Sequence, residues 1–178
     1  SESPATIFVG NGDGIQLKNL AKEADVVAHE FTHHVVARYV TDTEDTESVV
    51  VHEGLADIFT MLKNADPCLA PSVCPEGSLR CFIRNKCLRS AENDLTFDQD
   101  FGRAYHWKGQ VLSGLVWDLR DSLNNDDLTR LVYKAITLLG SKTSGAEFIT
   151  ALQTADQELF AGANVELIQE LAQARKIN

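Results

Sequence analysis

The chain has 178 residues, 44% of them hydrophobic, and a formal net charge of -10. That length suits one compact domain or two small lobes on a shared core, and the apolar share excludes wholesale disorder. The acidic balance excludes a nucleic-acid partner, which selects basic surfaces. No apolar run approaches the ~20 residues that a membrane-spanning helix needs. The opening Ser1-Glu2-Ser3-Pro4 has neither the basic nor the apolar region of a signal peptide, so a targeting segment is expected to lie outside this sequence.

In chain order, residues 5–9 predict a short strand, Asn11-Gly12-Asp13-Gly14 a turn, and residues 15–17 a returning strand. From Asn19 to about Val40 the pattern turns helical, with Leu20, Ala24, Val27, Ala28, Phe31, Val35 and Val36 at three- and four-residue steps. An acidic link, 42–47, leads to a second helix from Glu47 to about Lys63. Residues 65–100 hold Cys68, Cys74, Cys81 and Cys87 among prolines and glycines. The even count predicts two disulfides stapling an irregular loop, with three connectivities open, and an extracellular setting. The spacings are too wide for the usual cysteine pairs of a structural zinc site. Further helices are predicted near 104–122, 127–140, 144–160 and 164–176, with Gly140 and Gly162 as stops. The expected fold class is α+β and predominantly α: a short N-terminal β element, two helices, a stapled loop and a C-terminal helical bundle. A division near residue 100 separates a motif-bearing half, 1–100, from a helical half, 101–178, that packs on it.

The chemistry centres on His29-Glu30-Phe31-Thr32-His33, an H-E-x-x-H inside a predicted helix. A four-residue step turns a helix by about 400°, so both imidazoles project from one face, one turn apart. Neutral imidazole nitrogen suits Zn²⁺, and Glu30, rotated about 100° from His29, can sit beside the ion as a base without ligating it. Glu53 follows His33 by 20 residues on the next predicted helix, and a helix hairpin returns it to the same place. Two His and one carboxylate leave a fourth position for water. Asp57, one turn on, can accept a hydrogen bond from a ligand histidine. His34 and His52 lie about 100° round their helices from the assigned residues and are read as non-ligands.

The segments Asp25-Val-Val-Ala-His-Glu-Phe-Thr-His33 and Glu53-Gly-Leu-Ala-Asp-Ile-Phe59 resemble the thermolysin-like branch of the gluzincin zinc metallopeptidases. The turn Gly10-Asn-Gly-Asp-Gly14, the stretch Leu88-Arg89-Ser90 and the segment Tyr105-His106-Trp107-Lys108-Gly109 extend the resemblance over roughly residues 6–120, the last being closer to the fungalysins. The resemblance implies zinc ligands His29, His33 and Glu53, the general base Glu30, and Asp57 as partner of His29. It implies that Arg89 binds the substrate carbonyl and His106 stabilises the oxyanion. Asp25 matches a calcium-binding position, with Asp42, Glu44, Asp45 and Glu47 as further candidate ligands. The implied function is a secreted endopeptidase acting on a protein or peptide substrate, preferring an apolar residue after the cut. An extended substrate is expected to add to an edge strand near residues 3–9.

The sequence also departs from that pattern. Glu44 stands where the family carries an oxyanion tyrosine, leaving Tyr39 or Tyr105 as substitutes. The family's β-rich N-terminal part has no counterpart in this chain. That leaves a compact form, a fragment of a longer enzyme joined by a pro-segment or a missing N-terminal part, or a catalytically impaired zinc-binding module.

Overall fold

The computed structural model describes residues 6–82, 86–100, 102 and 104–177. Seven α-helices run through them: α1 (Ala24–Val36), α2 (Thr46–Asn64), α3 (Leu79–Phe82), α4 (Tyr105–Asp118), α5 (Asn125–Ile136), α6 (Gly145–Phe160) and α7 (Val165–Ala174). Two short strands, β1 (Cys68–Leu69) and β2 (Arg89–Ser90), pair antiparallel with Cys68 opposite Ser90 and Leu69 opposite Arg89. The fold is thus α+β and mostly α, and no helix among the described residues is long and apolar enough to cross a membrane.

The β element is not where the sequence predicts it. Residues 6–17 form no strand. Instead Asp13 Oδ1 accepts the backbone N–H groups of Ile15, Gln16 and Leu17, and Gly14 N–H donates to Leu17 O, which closes the chain into a turn. The next amide, Lys18, donates to Val73 O, so the segment is tied to the stapled loop and not to a hairpin partner. The expected edge strand for substrate addition is therefore missing from residues 6–9; residues 3–5 lie outside the described set.

The helix predictions hold, with boundaries trimmed by specific caps. Asp45 accepts from Ser48 N–H to start α2, Asn124 accepts from Asp126 and Asp127 to start α5, and Ser144 with Glu147 forms a reciprocal capping box on α6. Asn19 heads only a 3-10 turn, Leu20–Lys22, and α1 begins at Ala24, where the Glu23 carboxylate accepts from Asp25 N–H. The stapled segment 65–100 carries two nested disulfides, Cys68–Cys87 and Cys74–Cys81.

Helix α2 is central. Its apolar residues Val50, Val51, Leu55, Ile58 and Leu62 share one core with Leu112 and Leu115 of α4, Leu128 and Leu131 of α5, Phe148 and Leu152 of α6 and Ile168 of α7. That core draws on residues from both sides of position 100. A smaller cluster, Met61, Leu69, Ala70, Val73 and Ala91, sits beneath the stapled loop. Helices α2 and α4 cross at glycines. A Cβ on Gly109 would lie 2.8 Å from Gly54 N and 3.2 Å from both Glu53 C and Glu53 Cβ. A methyl group there must push α4 away from α2 beside Glu53. Gly109→Ala is expected to destabilise the protein by about 1–3 kcal/mol, read as a lower urea midpoint with unchanged slope. An unaltered midpoint would mean that the crossing yields freely.

Candidate metal centre

The buried face of α1 is polar. Asp25, His29, Thr32 and Val36, at helical steps, point inward, whereas Val27 and Phe31 are 42% and 58% exposed. Apart from Val36, the periodic apolar residues of this helix thus do not mark its core face. The inversion has visible causes. Asp25 accepts from Asn64 Nδ2 (2.6 Å) and from Ala70 N–H (2.9 Å), tying the start of α1 to the end of α2 and to the stapled loop. Thr32 Oγ1 turns back to donate to Ala28 O (2.8 Å). His29 meets Asp57 of α2.

Three side chains converge from α1 and α2. His29 Nε2 lies 3.1 Å from His33 Nε2 and 3.2 Å from Glu53 Oε2, and His33 Nε2 lies 3.6 Å from the same oxygen. Among the described residues, this is the one group of three His, Cys, Asp or Glu side chains close enough to share an ion. Ligand bonds of ~2.0–2.1 Å in a tetrahedron would separate ligand atoms by roughly 3.3–3.4 Å, which matches the three spacings. The atoms facing one another are all acceptors when the imidazoles are neutral. Asp57 Oδ1, 2.9 Å from His29 Nδ1, accepts a hydrogen bond from the N–H there and leaves a lone pair at Nε2. Glu53 Oε2 is buried with no hydrogen bond of proper geometry. Such a cluster calls for a positive charge at its centre, from a proton or a metal ion.

The electrostatics agree. Burial pulls the His29 imidazole down, but its contacts with Asp57 and Glu53 outweigh that and raise its pKa to about 9. Burial raises the Glu53 carboxyl, yet the imidazoles of His29 and His33 hold it well below the usual carboxylate range. Asp57, fully buried, is desolvated upward and pulled further downward by Arg89 and His29, so it stays ionised.

Arg89 enters from β2. Its Nε and Nη2 donate to Asp57 Oδ2 (2.6 Å) and Oδ1 (2.7 Å), a paired contact in which both oxygens of the carboxylate are used. The ladder with Leu69 and the neighbouring Cys68–Cys87 bridge place it there. The sequence assigns Asp57 to His29 and Arg89 to a substrate; nothing in the spacing indicates that they bond each other.

His106, near the start of α4, brings Nε2 to 3.0 Å from Glu53 Oε2, and its ring stacks 6.1 Å from that of His29. Burial and the nearby Arg89 lower its pKa. Glu30, His29, Arg89 and His106 share the wall of one open cleft of about 450 Å³. Leu17, Leu20, Val26, Leu69 and Leu88 give it apolar walls, and Phe8, Val9 and Gly10 line it without forming a strand. Arg80 and Trp107 also line it and carry no sequence signal of their own.

Other candidates fall elsewhere. His34 is exposed, and His52 Nε2 donates to Val40 O (2.8 Å) inside the fold, with burial lowering its pKa. Tyr39 and Tyr105 pack against the main core and do not line the cleft, and Glu44 is exposed on the 37–45 connection. Both Asp25 oxygens accept hydrogen bonds within the protein. Asp42 accepts from the backbone of Glu44 and Asp45, and Asp45 pairs with Lys142 (2.7 Å). Neither Asp25 nor the acidic link forms a converging ligand group, so calcium gains no support here.

A family model of the thermolysin metallopeptidase catalytic domain matches residues 2–37. The match contains His29, Glu30 and His33. It stops before Glu53, Asp57, Arg89 and His106, which the fold brings to the same place.

Two outcomes are expected. Asp57→Ala leaves the part-buried Arg89 without its carboxylate and should cost about 3–5 kcal/mol in chemical denaturation; a cost below 1 kcal/mol would show the pair to be dispensable. The folded pKa of His29 lies above its ordinary 6.5, so its protonation stabilises the metal-free protein below about pH 6.5, and that contribution is lost as pH rises through about 9. An incoming metal ion must displace the proton, so chelator competition should show zinc affinity rising across that window, by up to tenfold per pH unit. A flat profile would contradict it.

Proposed function

We propose that this protein is a secreted zinc-dependent endopeptidase of the thermolysin-like kind. The observation that carries the reading is the convergence of His29, His33 and Glu53 at ion-sharing distances, backed by Asp57, with His29 on the wall of a cleft that Glu30 also lines. The acceptor-only character of that group and the unsatisfied Glu53 oxygen fit a divalent cation.

A zinc ion held by His29, His33 and Glu53 would supply Lewis-acid chemistry, acidifying a water and polarising the scissile carbonyl. Glu30 takes the proton of the attacking water on its carboxylate and passes it to the leaving amine. His106 and Arg89 donate hydrogen bonds to the carbonyl oxygen as negative charge grows on it. Asp57 keeps the His29 proton on Nδ1 and holds Arg89 at the cleft wall. Apolar walls from Leu17, Leu20, Leu69 and Leu88 favour an apolar residue after the cut. Two disulfides fit an oxidising compartment.

A second reading, a zinc-binding module with impaired catalysis, is favoured by one observation: neither Tyr39 nor Tyr105 lines the cleft. One experiment separates the two. Zinc-loaded protein should cleave casein, phenanthroline should stop it, and Glu30→Gln should keep its zinc while losing at least 100-fold in rate, the lower end of general-base contributions. Wild-type cleavage by Glu30→Gln would remove the base assignment; zinc retention without any wild-type cleavage would favour the impaired module.

A further inference from the structure

We propose that Arg80 makes the cleft select substrates bearing a carboxylate near the scissile bond, an inference that rests on the endopeptidase reading and narrows its substrate class. The other basic groups on the cleft wall each face a carboxylate. Arg89 is neutralised by Asp57, and His29 and His106 both face Glu53. Arg80 shares this wall, yet it makes no ion pair or hydrogen bond with any described residue. In a protein of net charge -10 an exposed guanidinium commonly finds a carboxylate, and among the described residues none is ion-paired with Arg80.

Its backbone is also held more firmly than a surface arginine requires. Arg80 lies on α3, one residue before Cys81, whose disulfide to Cys74 closes a short loop. Two residues earlier, Ser78 Oγ donates to Gln16 O (2.7 Å) and is buried, which pins the start of α3 to the segment whose Leu17 also lines the cleft. Next to it, Leu79 is 73% exposed. An unpaired planar cation on an anchored base at the rim of an apolar-walled cleft has the chemistry to take a carboxylate through two parallel N–H bonds. The carboxylate can belong to an Asp or Glu side chain or to the free C-terminus of a short peptide. Arg80 acts by binding and takes no part in bond breaking.

The test uses zinc-loaded full chain and internally quenched peptides that differ only by Glu or Gln at each of the two positions either side of the cut. A parallel pair ends in a free acid or an amide. At one position the wild type should prefer Glu by roughly three- to tenfold in kcat/KM, as expected for a partly solvated ion pair, carried mainly by KM and reduced in 0.5 M NaCl. Arg80→Gln should bring that ratio to about one with zinc content unchanged, and Arg80→Glu should reverse it in favour of Gln. A preference confined to the free-acid peptide would assign the site to chain termini. Indifference of the wild type to every substitution, or a preference that survives in Arg80→Gln, would overturn the proposal. If no peptide or casein is cut, the endopeptidase reading fails by itself. Arg80 is then judged by fluorescence anisotropy, comparing binding of the labelled Glu and Gln peptides to Glu30→Gln protein; equal binding, or none, overturns it.

Discussion

The carboxylate of Asp57 is fully buried, and it is kept ionised by the two groups it holds. On one side it accepts a hydrogen bond from the Nδ1–H of His29 on α1; on the other it accepts from Nε and Nη2 of Arg89 on β2. Burying such a charge unpaired would cost several kcal/mol, so α1, α2 and the stapled loop are constrained to meet at this point. The same contact sets the His29 tautomer that leaves Nε2 facing His33 and Glu53. Cleft geometry and fold therefore share one interaction.

Helix α1 shows what this arrangement costs. It turns Asp25, His29 and Thr32 inward and leaves Val27 and Phe31 in solvent, against the usual partition of apolar surface. Each inward polar group has a partner: Asn64 and Ala70 for Asp25, Asp57 for His29, and Ala28 O for Thr32. The stability lost on α1 is offset by α2, which buries residues on most of its circumference against α4, α5 and α6. The Gly54–Gly109 crossing lets α4 come close enough for His106 to reach Glu53.

The stapled segment has almost no regular structure, yet it carries Arg89 and Arg80. Its two nested disulfides bridge sequence separations of 19 and 7 residues. Bridges of this size remove unfolded-state entropy worth on the order of 3 kcal/mol each, which lets an irregular loop hold side chains at fixed places. A two-residue ladder is then enough to aim Arg89 at Asp57.

Local pattern was enough for part of this molecule. The four-residue spacing of His29 and His33 fixes two imidazoles on one helical face, because 3.6-residue periodicity does that in any context. Helix positions and the pairing potential of four clustered cysteines are equally local. Contacts between distant segments were decided by the tertiary structure. It selected Cys68–Cys87 and Cys74–Cys81 from three connectivities, moved the β element from residues 5–17 to Cys68–Leu69 and Arg89–Ser90, and joined Arg89 to Asp57. It also chose the polar face of α1 as the buried one. Periodicity shows that a helix has two faces; which face goes inward depends on the partners the rest of the chain presents, and for α1 those partners are polar.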